Sequence, residues 1–159
     1  MLGGARSVNG GIQVGDDTRT EDLTSVNGRV RVGERVTVDG DLYAVNGDIK
    51  SGEGSQINGN VETINGEIDL TGTIVNRDLE TVHGGITLDR ESHVKGDVII
   101  KRVRGNHHDS NKPLEIDIRN GYVVEGNIDV EDDDREVVVR LSSGGKVMVE
   151  IRGVEVISD

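Results

Sequence analysis

The sequence lacks cysteine, phenylalanine and tryptophan, and among its 159 residues it has one proline and two tyrosines. Without cysteine there are no disulfides and no thiolate metal ligands. Because aromatic side chains are nearly absent, the interior has to be built from valine, isoleucine and leucine, which pack well on a pleated surface but bury less area each. We therefore expect a single domain with a narrow, repetitive hydrophobic core.

Positive charge is also scarce. The chain has 18 Lys and Arg but 30 Asp and Glu, so the formal net charge is −12. Binding to nucleic acid or to an anionic membrane depends on neutralising phosphates, and this composition disfavours both partners. No apolar run approaches membrane-spanning length, and Met1-Leu2-Gly3-Gly4 has no signal-peptide pattern, so we expect no direct membrane insertion.

One tripeptide, Val-Asn-Gly, recurs at an almost constant spacing. Its five copies, two of them with one substitution, begin 18, 19, 19 and 18 residues apart. Such a period is typical of a solenoid, in which each repeat is one coil stacked on the preceding coil. The copies are Val8-Asn9-Gly10, Val26-Asn27-Gly28, Val45-Asn46-Gly47, Ile64-Asn65-Gly66 and Val82-His83-Gly84.

A second motif keeps step with the first. It appears as Val38-Asp39-Gly40-Asp41-Leu42, Ile57-Asn58-Gly59-Asn60-Val61, Val75-Asn76-Arg77-Asp78-Leu79 and Val94-Lys95-Gly96-Asp97-Val98. Glycine and asparagine tolerate the left-handed backbone region, so we expect both motifs to form tight corners in that conformation. Apolar residues alternate with polar ones between the corners, as in Ile68-x-Leu70, which predicts three short strands per coil.

These patterns predict an all-β fold, a single-stranded parallel β-helix with 18 to 19 residues per coil. A helical protein is excluded because glycine and asparagine fall in every window. A β-sandwich of hairpins is the stronger alternative, since Asn-Gly between alternating apolar residues is also a hairpin signal. A sandwich, however, has no reason to repeat its side chains at a fixed interval, whereas stacked coils place equivalent residues above one another.

The repeats divide the single domain, residues 1–159, into three parts. Regular coils are expected over 1–101. Residues 102–113 hold the only proline and few apolar side chains, which predicts a surface excursion. Terminal coils are expected over 114–159, where the second motif returns at Val124, 30 residues after Val94.

In stacked coils the equivalent asparagines should superpose as a hydrogen-bonded ladder. The predicted ladder is Asn9, Asn27, Asn46 and Asn65, ending at His83. We assign it a structural role, because asparagine suits the corner backbone.

Candidate chemistry is sparse, and we expect no cofactor. The His107-His108-Asp109 group is the best candidate for a metal site, although adjacent histidines in a polar loop are usually only solvated. Asp16-Asp17 and Asp132-Asp133-Asp134 lack the spacing with which successive coils share calcium. Tyr43 and Tyr122 alone do not provide a sugar platform, and no nucleophile or phosphate-loop motif is present.

The reiterated Ser/Thr-Val-Asn-Gly pattern, interleaved with Val-x-Gly-Asp-Leu, resembles the bacterial repeat proteins grouped as putative adhesins and, more loosely, the polymer-forming bactofilins. The resemblance extends through Val130. It implies a right-handed parallel β-helix, a bacterial envelope or scaffold setting, periplasmic or at the cell surface, and no enzymatic activity. It transfers no functional residues. The excursion departs from the bactofilin pattern, which weighs against filaments.

The sequence therefore predicts a non-enzymatic structural, adhesive or scaffold module that acts through its rigid surface or by self-association of its coil ends. Unpaired strand edges at the first coil make Ile12 and Val14 the expected interface. One alternative is a metal-assisted or carbohydrate-active β-helix enzyme that uses the 102–113 loop. Another is a module that binds a cell-wall polymer through Lys101, Arg102 and Arg104.

Overall fold

A computed structural model describes residues 3–101, 113–120, 123–131, 136–142, 146–147, 151–152 and 155–158. The secondary structure over these residues consists of strands that are two to five residues long. The described part of the chain contains no helix long and apolar enough to cross a membrane.

The strands follow one another in groups of three along most of the chain. The first twelve are β1 (Ala5–Ser7), β2 (Ile12–Val14), β3 (Arg19–Thr20), β4 (Leu23–Ser25), β5 (Val30–Val32), β6 (Thr37–Val38), β7 (Leu42–Ala44), β8 (Ile49–Ser51), β9 (Gln56–Ile57), β10 (Val61–Thr63), β11 (Ile68–Thr71) and β12 (Ile74–Val75). The remainder are β13 (Leu79–Thr81), β14 (Ile86–Asp89), β15 (His93–Val94), β16 (Val98–Ile100), β17 (Leu114–Ile118), β18 (Val123–Val124), β19 (Ile128–Val130), β20 (Val137–Leu141), β21 (Lys146–Val147), β22 (Ile151–Arg152) and β23 (Glu155–Ser158).

Every third strand joins the same sheet, and the pairs are parallel. Sheet A has the order β1-β4-β7-β10-β13-β16-β19-β22, sheet B the order β2-β5-β8-β11-β14-β17-β20-β23, and sheet C the order β3-β6-β9-β12-β15-β18-β21. Each coil thus contributes one strand to each sheet. The predicted parallel β-helix with three short strands per coil is confirmed, and the antiparallel sandwich is wrong.

The register of the pairs reproduces the sequence period. Leu23 pairs with Leu42, and Leu42 pairs with Val61, which are steps of 19 residues. Val61 pairs with Leu79, a step of 18. Val94 then pairs with Val124, 30 residues later, so one coil contains the extra residues that the sequence assigns to an excursion.

The core is an aliphatic column enclosed by the three sheets. In β11 the side chains of Ile68 and Leu70 are fully buried while Asp69 between them reaches the surface, which is the period-two alternation of a strand. Buried residues from the successive coils form one continuous cluster that runs from Val14 to Val139. Isoleucine, leucine and valine therefore replace one another at equivalent positions of successive coils.

The predicted left-handed conformation of the two sequence motifs is wrong. Among the described residues, positive φ angles occur only at the third corner, between the strands of sheet B and those of sheet C. They are found at Asp17, Arg35, Gly54, Gly72, Arg90, Glu91 and Asn120, with φ from 51° to 76°. The positive-φ position carries no constant residue type, although a glycine followed by an acidic residue recurs just before it, at Gly15-Asp16, Gly33-Glu34 and Gly52-Glu53.

The glycines of the Val-Asn-Gly corner are needed for a different reason. A Cβ atom added at Gly47 would lie 2.0 Å from the carbonyl oxygen of Gly28 in the preceding coil. The same clash recurs at Gly66, where the added atom would lie 2.1 Å from the oxygen of Gly47. The corners stack backbone on backbone, and the glycine column allows the coils to approach at sheet spacing.

Hydroxyl side chains occupy the interior of the third corner. Ser55 is buried, donates to the carbonyl oxygen of Gly33 at 2.8 Å and accepts from the backbone N–H of Val36 at 3.1 Å. Ser92 accepts from the backbone N–H of Thr73 at 3.0 Å in the same way. Each hydroxyl thus accepts a hydrogen bond from a backbone N–H group at the bend of the preceding coil.

Candidate functional surfaces

The outward side chains of each sheet stack into a column along the axis. The register gives sheet A the column Arg6, Thr24, Tyr43, Glu62, Glu80, Ile99 and Asp129. Sheet B presents Gln13, Arg31, Lys50, Asp69, Thr87, Asp117 and Arg140, and sheet C presents Arg19, Thr37, Gln56, Ile74, His93 and Val123. Neighbours in a column are one strand spacing apart, about 4.8 Å.

Four of the five residues of the predicted ladder are joined by side-chain hydrogen bonds. The amide nitrogen of Asn27 donates to the amide oxygen of Asn9 at 3.0 Å, and Asn46 donates to Asn27 at 2.9 Å. Asn65 continues the series by donating to Asn46 at 2.8 Å. His83 takes the next position of the column, where its backbone N–H donates to the carbonyl oxygen of Ile64 at 2.9 Å.

A second ladder follows the glycine of the other corner. The carboxylate oxygen Oδ1 of Asp22 accepts the backbone N–H of Asp41 at 2.8 Å, and Oδ1 of Asp41 accepts the N–H of Asn60 at 2.7 Å. The series then continues through Asp78, Asp97 and Asn127 with distances of 2.8 to 3.1 Å. Sequence reasoning did not anticipate this ladder. Its signal is the Asp or Asn that occupies this position in every copy of the motif.

Ion pairs connect many of the charged side chains across coils. Arg19 bonds both carboxylate oxygens of Asp39, at 2.7 and 2.9 Å, and Arg35 bonds Asp17 at 2.7 and 3.1 Å. These guanidinium groups lower the pKa values of Asp39 and Asp17 chiefly through the side-chain hydrogen bonds. Asp16, beside Asp17, instead accepts the N–H of Glu34 at 2.9 Å. Both acidic side chains of this pair therefore have protein partners.

Lys101 directly follows β16 in sheet A. Its ammonium nitrogen is 2.6 Å from Glu80 and 3.4 Å from Glu62, in the two preceding coils. The hydrogen bond that Lys101 donates to Glu80 is the main reason that the pKa of Lys101 is raised. Lys101 therefore already has two anionic partners, which reduces its value as a site for a polymer. Arg102 and Arg104, proposed from the sequence as its partners, lie outside the described residues.

The first coil leaves one edge of every sheet without a neighbouring described strand. β1, β2 and β3 each stand at the end of their sheet order. Ile12 is partly buried against the core, Val14 is 6% exposed, and Val8 at the adjoining corner is 55% exposed. The two residues that sequence reasoning placed at an interface thus lie side by side in one edge strand.

The structure does not bring together a metal site within the parts of the chain that it describes, where no group of three or more His, Asp or Glu could hold an ion. The candidates His107, His108 and Asp109 lie outside those parts, as do Tyr122 and Asp132 to Asp134. His93 is instead paired with Glu125, its Nε2 lying 2.6 Å from a carboxylate oxygen.

Comparison with protein-family models, with curated protein sequences and with solved structures gave no match.

Proposed function

We propose that this chain is a non-enzymatic structural or adhesive module of the bacterial cell envelope, similar in role to the adhesin and bactofilin repeat proteins that it resembles. A rigid rod of stacked coils can hold partners at fixed separations along its length. The observation that carries the proposal is the edge at the first described coil, since β1, β2 and β3 each have a neighbour on one side only among the described strands.

An uncovered edge is a template for another chain. Unpaired N–H and C=O groups on three edge strands can continue the hydrogen-bond ladders into a second molecule. The side chains support the same reading, because Ile12 reaches the core from this end and Val8 is largely exposed. We therefore propose that copies of this chain associate with one another through their first coils.

Self-association is tested by introducing charge at this edge. In Ile12→Lys an ammonium group replaces an apolar side chain at the end of the core, where pairing with a second molecule would desolvate it. We expect sedimentation velocity to show a mass that rises with concentration for the unmodified chain and stays monomeric for the variant. Circular dichroism shows whether the variant is folded.

Ile74→Lys is the matched control. Ile74 is 39% exposed, yet it lies in β12, which has strands on both sides. This variant should associate like the unmodified chain. A chain that stays monomeric at all concentrations, or the same loss of association in both variants, would contradict the proposed interface.

A further inference from the structure

The sheet A face contains a cavity of about 260 Å³ next to the second corner. Its outward wall residues come from three successive coils: Thr24, Tyr43 and Glu62 in the sheet A column, and Asp22, Asp41 and Asn60 in the adjacent ladder. Tyr43 is half-buried at the middle level. The stacking of coils thus brings an aromatic ring beside two aspartates from different coils.

The two aspartates are held in place but are not neutralised. Asp22 and Asp41 each use Oδ1 to accept a backbone N–H from the next coil, which fixes the carboxylate and leaves the second oxygen without a partner among the described residues. Neither forms an ion pair with a described residue, whereas Asp39, two residues before Asp41, is paired with Arg19. Lys101, whose ammonium group contacts Glu62 in the wall of the cavity, is already bonded to Glu62 and Glu80.

We propose that this cavity binds an alkylammonium group. An ammonium ion can donate to the free oxygens of Asp22 and Asp41 while its methylene chain lies on the ring of Tyr43, where a cation–π contact adds to the charge attraction. A neutral sugar ring would leave both carboxylates uncompensated. A bare metal ion has no methylene chain to pack against the ring. The ligand class is a polyamine or the side chain of a lysine, and the net charge of −12 favours its approach.

The test is calorimetric titration with spermidine and, separately, with a blocked trilysine peptide at low ionic strength. We expect saturable binding of at least one of them with one site per chain. Tighter binding of spermidine indicates a free polyamine, and tighter binding of the peptide indicates a protein partner. Saturation by neither ligand overturns the proposal.

Two pairs of variants locate the site. Asp41→Asn keeps the Oδ1 acceptor, as Asn60 does in the same ladder, so folding should be preserved while the charge is lost. Asp97→Asn removes an equal charge from the same ladder outside the cavity. Tyr43→Leu removes the ring and Tyr43→Phe retains it.

Asp41→Asn and Tyr43→Leu should each weaken binding by about tenfold, the loss expected for one charge contact or one desolvated cation–π contact. Asp97→Asn and Tyr43→Phe should change the affinity by less than about twofold. Equal losses in Asp41→Asn and Asp97→Asn would show that only the overall charge attracts the ligand, and an unchanged affinity in Tyr43→Leu would remove the ring from the site. Either result overturns the proposal.

Discussion

Glycine in this molecule is selected by the neighbouring coil rather than by the torsion angles of its own backbone. Gly47 and Gly66 have no positive φ, but each lies against a carbonyl oxygen of the coil before it. The residues that do adopt the left-handed region include Arg35 and Asn120, which are not glycine. A position that looks like a turn residue in the sequence is therefore a spacing residue in the fold.

Alanine substitutions at two glycines test whether close stacking of the coils, rather than backbone conformation, requires glycine. Gly47→Ala places a methyl group 2.0 Å from the oxygen of Gly28, so the backbone has to shift, and we expect a loss of about 2 kcal/mol in the free energy of unfolding. At Gly15 an added Cβ meets nothing within 4 Å and φ is not positive, so Gly15→Ala should lie within about 0.5 kcal/mol of the unmodified chain. Urea denaturation measures both. Equal stabilities would show that the corner can relax and that close stacking does not require glycine.

At the scale of elements, side-chain hydrogen bonds between asparagines at equivalent positions connect each coil to the next. Asn46 donates to Asn27 and accepts from Asn65, so its side chain connects three coils. Asn9 at the end of the series makes one such bond. Because each coil contacts mainly its neighbours, the stability of the rod should be a sum of local terms.

Removal of one ladder residue should therefore have an effect that depends on its place in the stack. We expect Asn46→Ala to lower the free energy of unfolding by about 1 kcal/mol, since two exposed hydrogen bonds are lost, and Asn9→Ala to lower it by about half as much. Hydrogen exchange should show weaker protection in the coils next to residue 46 and little change beyond them. Indistinguishable effects of the two variants would mean that the ladder contributes no stability of its own.

At the scale of the whole molecule, ion pairs on the acidic surface stabilise the fold only while their carboxylates are ionised. The pKa values of Asp17 and Asp39 are lowered by Arg35 and Arg19, and hydrogen bonds from Asn120 and from the backbone N–H of Arg90 lower the pKa of Asp89. A carboxylate with a lowered pKa in the folded state binds fewer protons than it does when unfolded. Its stabilising effect is complete above the unfolded pKa of about 4 and is lost as the pH falls through the folded pKa.

Stability should accordingly decline as the pH falls below about 5. The variant with Asp17→Asn and Asp39→Asn should show a shallower decline, by a fraction of a proton for each replaced carboxylate, since the side chains of Asp17 and Asp39 are 66% and 26% exposed and solvent screens both pairs. Urea denaturation at a series of pH values gives the slope. An identical slope in the double variant would assign the acid sensitivity to other groups.

The repeat period, the strand alternation and the asparagine ladder could be predicted from the sequence, because each depends on residues that recur at the same step. The spacing of Val26, Val45 and Ile64 gives the coil length directly. The alternation at Ile68 and Leu70 predicts which face of the strand is buried. The third corner could not be predicted in this way, since Asp17, Arg35, Gly54 and Asn120 share a conformation but no side-chain type.

What the chain determined by itself was thus the coil: its length, its inward and outward positions and its aliphatic core. Only the tertiary structure decided which groups of different coils meet, including the close approach at Gly47, the carboxylate ladder of Asp22 and Asp41, and the cavity at Tyr43. The physical reason is that the sequence period shows which residues are stacked, but not how closely their backbones approach or which atoms of neighbouring coils bond to each other. Their geometry follows from the stacking of coils, and local backbone preference does not encode it.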